Sequence, residues 1–165
     1  MLAVIGCGNL NRSDDGVGVV VARQLMHYRD KHSLPEVCVF DAGTGGMDVM
    51  FRARGASRLV LIDASRSGCE PGAIFRVPGE ELAREYNPTL SLHDFRWDHA
   101  LYAGRRIFGA SFPTDITVFL IEGATFDLGT QLSEAVQRAA ARVFNDIAVI
   151  VEAHLASAGI QAHGG

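Results

Sequence analysis

Cysteine is scarce and long apolar runs are absent, and both facts narrow the field. The 3 cysteines, Cys7, Cys38 and Cys69, are odd in number and show no CxxC spacing. They point to neither a disulfide framework nor a thiolate zinc site, and fit a reducing cytoplasm. No apolar stretch is long enough to cross a bilayer, and the apolar start is too short for a signal peptide, so no membrane association is expected. Basic residues are also few: 15 Lys and Arg against 19 Asp and Glu leave a formal charge of −4. A nucleic-acid surface would need clustered cations. Arg52, Arg54 and Arg58 lie close in sequence, but around Gly55 they read as a solvated helix end. Repeats and linkers are lacking, and 165 residues suit one domain, 1–165, with a substantial core.

What is present is organised around Gly6 to Gly18, GCGNLNRSDDGVG. Leu2 to Ile5 read as the end of a buried strand, Gly6 and Gly8 permit a sharp turn, and Gly16 to Leu25 show helical spacing of Val17, Val20, Val21 and Leu25. Val37 to Phe40 form a second strand candidate ending at Asp41, followed by the glycine turn DAGTGG and a short helix over Met47 to Arg54. RLVLID, Arg58 to Asp63, is a continuous apolar run of the kind found in a parallel sheet covered on both faces, and is expected to be central. Ala73 to Val77 follow too soon for a helical crossover, so that strand is expected to run antiparallel. Glu80 to Tyr86 read as a possible short helix. Ser91 to Asp94 resemble a capping box opening a helix to about Ile107. Asp115 to Ile121 are the last strand, and Leu132 to His154 carry the apolar stripe of a long helix. Ala156 to Gly165 are expected to be a frayed tail. This order predicts a three-layer α/β/α sandwich with a mostly parallel sheet.

Three parallel strands end at or near an acid: Asp15, Asp41 and Asp63. In such a sheet these ends share one edge, where ligands bind, and a helix that begins at His93 and returns to a parallel strand starts near it. Two carboxylates and an imidazole can therefore converge. The set suits a borderline divalent metal, yet it is short of ligands and needs others from a partner. Plainer readings stay open: Asp14 and Asp15 as caps of the first helix, Asp63 as a turn cap, and His93 as a polar residue in a first helical turn. Asp41 with Gly43, Gly45 and Gly46 resembles an anion nest, although such glycines also serve tight turns. Cys7 reads as a small buried residue rather than a nucleophile.

These motifs together resemble those of the hydrogenase maturation endopeptidases. Gly6, Gly8, Asn9, Asp14, Asp15, Gly16 and Gly18 are similar to that family's opening glycine loop with its acidic pair. DAGTGG resembles its second glycine turn, LVLIDASRSGCEPGAIFR its third strand and PG turn, SLHD its histidine motif, and LSEAV the start of its last helix. The resemblance covers nearly the whole chain. It implies a five-stranded sheet with one antiparallel edge strand. It also implies an endopeptidase that removes the C-terminal extension of a nickel–iron hydrogenase large-subunit precursor after nickel insertion. Asp15, Asp63 and His93 match the family's nickel-contacting and catalytic set, with nickel supplied by the precursor. The first position is often Glu in the family, and Ile121-Glu122-Gly123-Ala124 departs from its usual GI-x-P turn. The metal can polarise the scissile carbonyl, acidify a bound water or position the peptide. The expected partner is the hydrogenase large-subunit precursor, and the free protein is expected to be monomeric.

Two other readings compete. Strand, glycine loop and helix also open a Rossmann-like dinucleotide-binding module, but Asn11 stands at the third glycine of GxGxxG and two acids lie where a pyrophosphate would approach. A non-catalytic chaperone of the nickel-loaded large subunit would use the same cleft without cutting.

Overall fold

The computed structural model describes residues 1–79 and 97–159. The chain alternates β1 (Leu2–Cys7), a 3₁₀ turn (Ser13–Gly16), α1 (Val17–Lys31), β2 (Val37–Gly43), α2 (Gly46–Ala53), β3 (Arg58–Ser65) and β4 (Ile74–Pro78), then α3 (Trp97–Phe108), β5 (Asp115–Glu122) and α4 (Glu134–Ser157). One sheet of 5 strands has the order β2-β1-β3-β5-β4. β1 pairs in parallel with β2 and β3, and β3 in parallel with β5. β4 runs antiparallel along β5 at the sheet edge, the direction its short connection to β3 requires. β3 is the middle strand, as its unbroken apolar run implies.

Alternation along the strands builds two cores. Leu2 and Val4 of β1 with Val60 and Ile62 of β3 face α1 and α4, burying Val21, Leu25, Val143 and Ile147. Ala3 and Ile5 with Leu59 and Leu61 face α2 and α3, burying Val49, Met50, Ala100 and Leu101. Helices thus cover both faces, and β1 throughout and β3 from Leu59 to Ile62 carry no polar side chain before the carboxyl edge.

Two glycines draw the first loop tight against this core. Gly8 has φ +126°, and a Cβ there would lie 1.8 Å from the Asp15 carbonyl oxygen. On Gly18 a Cβ would meet the carbonyl oxygens of Ile62 and Cys7 at 2.3 and 2.4 Å. Both positions bring backbone against backbone, which only glycine allows.

Most element bounds shift by one to three residues from expectation, and two helices run further. The 3₁₀ turn precedes α1, which begins at Val17 and continues to Lys31, beyond the fading apolar pattern at Leu25. α4 includes Ala156 and Ser157, expected as tail. The possible helix over Glu80 to Tyr86, the Ser91 to Asp94 capping box with His93, and residues 160–165 lie outside the described residues.

Candidate active site

The carboxyl ends of β1, β2 and β3 open onto a cleft of about 680 Å³ whose lining includes Cys7, Gly8, Asp15, Thr44, Asp63 and Trp97. Asp15 and Asp63 reach it by different routes. Beyond Gly8 the chain turns, and the Asn9 N–H donates to Asp15 Oδ2 at 3.0 Å while the Asn11 N–H donates to Asn9 Oδ1 at 2.9 Å. These bonds aim a half-buried carboxylate from the 3₁₀ turn. Asp63 sits in β3, where its Oδ1 accepts the Ala64 N–H at 2.8 Å. The structure therefore brings two of the three expected site residues to one cleft; the third, His93, lies outside the described residues. Among the described residues no three His, Cys, Asp or Glu side chains form a metal-holding group. Asp15 and Asp63 supply the hard oxygens that a divalent cation accepts, and need further ligands to complete a shell.

Neither acid of the Asp14-Asp15 pair caps α1, because no side-chain bond is made at that helix's N-terminus. Asp14 turns the other way and is fully buried. Its carboxylate accepts the N–H groups of Ala124 at 2.8 Å, Thr125 at 3.1 Å and Ser133 at 2.7 Å, together with the Ser133 hydroxyl at 2.9 Å. One side chain thus fastens the loop between β5 and α4, and with it the cleft residue Phe126. Local sequence shows an acidic pair; the fold gives one acid to the loop and the other to the cleft.

A family model described as HycI, hydrogenase maturation protease, matches residues 19–150. The chain belongs to the hydrogenase maturation protease family. Asp63 and His93 fall inside the matched residues, and Asp15 lies just ahead of them. The Hydrogenase 2 maturation protease of Escherichia coli is 28% identical over 119 residues, 71% of this chain and 70% of that protein. The hydrogenase expression/formation protein HupD of Bradyrhizobium diazoefficiens is 32% identical over 104 residues, 62% of this chain and 53% of that protein. HoxM of Cupriavidus necator, also a hydrogenase expression/formation protein, is 29% identical over 102 residues, 61% of this chain and 50% of that protein. The chain spans about half the length of HupD and HoxM. The hydrogenase maturating endopeptidase HybD from E. coli shares the fold, with a TM-score of 0.70 at 20% identity over 96% of this chain and 93% of that one. HybD from Thermococcus kodakarensis does so with a TM-score of 0.71 at 21% identity, over 91% of this chain and 98% of its own.

Within this family member two other acids of the sheet edge, Asp41 and Glu122, have structural tasks. Asp41 does not line the cleft: it accepts from Arg23 Nε and Nη2 at 3.1 and 3.0 Å and from the Gly43 N–H at 3.0 Å. Of the two roles open to the neighbouring glycines, anion nest or tight turn, the structure shows the turn. Gly43 donates to Asp41, Gly45 to the Ala42 carbonyl at 2.9 Å and Gly46 to the Thr44 carbonyl at 3.1 Å, so these N–H groups are spent within the turn. Burial pushes the Cys7 thiol well above its ordinary range, and the negative charges of Asp63 and Asp41 add to the effect. A thiolate nucleophile is thereby disfavoured. Trp97 is buried against the cleft, and its indole N–H finds no acceptor among the described residues. His99 is buried on α3 and is not among the cleft-lining residues.

Glu122 is the residue that sequence reasoning undervalued. It ends β5, is only 2% exposed, and accepts from the Ser65 hydroxyl, the Ser67 N–H and hydroxyl, and the Gly68 N–H. Ser65 and Ser67 line the cleft, so this carboxylate braces the wall next to Asp63. Burial alone would raise its pKa, but the hydrogen bonds from Ser65, Ser67 and Gly68 together outweigh burial and lower it from 4.5 to about 2. The folded carboxyl therefore ionises more readily than the unfolded one. Its stabilisation is full above about pH 4.5 and is lost as pH falls towards about 2. Glu122→Gln turns an amide NH₂ towards these donors and should cost about 2 kcal/mol at neutral pH. Thermal melts from pH 7 to 2 should show a weaker acid dependence in the variant; an identical acid limb would remove Glu122 from this role.

Proposed function

We propose that this chain is the endopeptidase that trims the C-terminal extension from a nickel–iron hydrogenase large-subunit precursor. Nickel enters on the precursor and is contacted by Asp15, Asp63 and His93. The observation that carries this reading is the convergence of Asp15 and Asp63, from separate strand ends, on one cleft of a hydrogenase maturation protease-family fold. The cleft has too few donors among the described residues to hold a cation alone, which suits a metal that arrives with ligands of its own. The two carboxylates would bind and orient the loaded centre against the peptide. In that position the metal supplies Lewis-acid character or an acidified water.

Two features of the cleft weigh against a dinucleotide site. Gly18 is spent on backbone packing against Ile62 and Cys7 rather than on a phosphate, and Asp15 faces the cleft where an anion would have to sit. The test is mass spectrometry of the large-subunit precursor, nickel-loaded and nickel-free, before and after incubation with the protein. Loss of a C-terminal peptide from the loaded form alone is the expected result. Tight binding of the loaded precursor with no peptide released would establish the chaperone alternative instead.

A further inference from the structure

We infer that Arg12 and Arg66 form a cationic subsite for a carboxylate of the departing segment, an inference that rests on the endopeptidase reading above. Both line the cleft that holds Asp15 and Asp63. They come from loops far apart in sequence and are gathered by one residue, Phe126. Arg12 Nε donates to the Phe126 carbonyl at 3.2 Å, and the Arg66 guanidinium lies 5.1 Å from the centre of the Phe126 ring. Each side chain is thus oriented by a contact that leaves guanidinium N–H groups unused. Among the described residues neither guanidinium enters an ion pair, whereas Arg23, Arg29, Arg52, Arg58 and Arg138 all do.

The charge balance indicates what these groups await. Among the described residues, the charged side chains that line the cleft are Arg12 and Arg66 against Asp15 and Asp63, two of each sign. Once a cation on the precursor draws on the two carboxylates, they compensate the two guanidiniums less. An anion beside the guanidiniums then becomes more favourable. Guanidinium forks pair best with planar carboxylates. A peptide can offer one from an Asp or Glu side chain or from its own C-terminus. The subsite would favour acidic extensions, and favour them most strongly when the metal is in place.

The test compares cleavage of three nickel-loaded precursors at sub-saturating concentration: unaltered, with the extension's Asp and Glu changed to Asn and Gln, and with the C-terminus amidated. The parent protein should cut at least one neutralised form ~10-fold more slowly than the unaltered precursor, and the form affected identifies the carboxylate. The preference should shrink at high salt. In R12Q/R66Q the ratio should fall towards 1, with partial recovery in R12K/R66K. Arg66→Gln alone, which gives up only a ring contact, keeps the test sound if the double variant folds poorly. Undiminished discrimination in R66Q and R12Q/R66Q overturns the subsite and leaves the endopeptidase standing. Failure of the parent to cut any loaded precursor overturns both.

Discussion

Asp15→Ala and Asp63→Ala are each expected to slow precursor processing by at least about 100-fold, and Asp15→Ala to keep a melting temperature close to that of the parent. The expectation combines two observations. Both carboxylates face the cleft, where they are proposed to meet the metal carried by the precursor, and loss of a direct ligand should exceed the effect of losing an outer-shell contact. The structural commitment of Asp15 is small: it accepts one N–H, from Asn9. Losing one such part-buried bond costs only about 1 kcal/mol. Activity and stability should therefore separate. His93→Ala belongs in the same series, since the family resemblance makes it the third member of the set. The measurement is the rate of peptide release by mass spectrometry beside a thermal melt. Normal trimming by all three variants would refute the site assignment.

That separation was only half legible in the sequence. RLVLID announced the middle strand because a strand covered by helices on both faces can be apolar at every position, and Ala73 to Val77 announced an antiparallel edge because the chain had no room to cross over. Convergence of Asp15 and Asp63 followed from topology alone. What could not be read locally was which of two identical neighbours does which job. Asp14 bonds to Ala124 and Ser133, 110 and 119 positions away, and Glu122 reaches back 54 positions to Gly68. No spacing rule within a helix or a turn encodes a partner at that distance. The glycines after Asp41 allowed both an anion nest and a tight turn in sequence, and the turn is what forms, because their N–H groups are satisfied within it. Arg12 and Arg66 likewise became a pair only because Phe126 lies between them.

Asp14→Ala is expected to behave in the opposite sense to Asp15→Ala, lowering stability by about 4 kcal/mol and the melting temperature by roughly 10 °C. The buried carboxylate answers three backbone N–H groups and one hydroxyl. Alanine leaves all of them without this acceptor, and each orphaned backbone donor costs about 1 to 3 kcal/mol before relaxation. Ser133 is the N-cap of α4 but makes no capping bond there, because its hydroxyl is committed to Asp14, so some of the loss can be recovered if Ser133 turns to cap the helix. Asp14→Asn should fall between parent and alanine, since one oxygen remains as acceptor while the new NH₂ opposes a donor. The loop released by the substitution carries Phe126, and through it the orientation of Arg12 and Arg66. Processing by the alanine variant should therefore fail as temperature rises towards its lowered melting point and return on cooling, whereas Asp15→Ala should be inactive at every temperature. Rates measured from 10 °C upward, alongside calorimetry, distinguish the two. A melting temperature for Asp14→Ala within about 1 °C of the parent would show that the loop does not depend on this carboxylate.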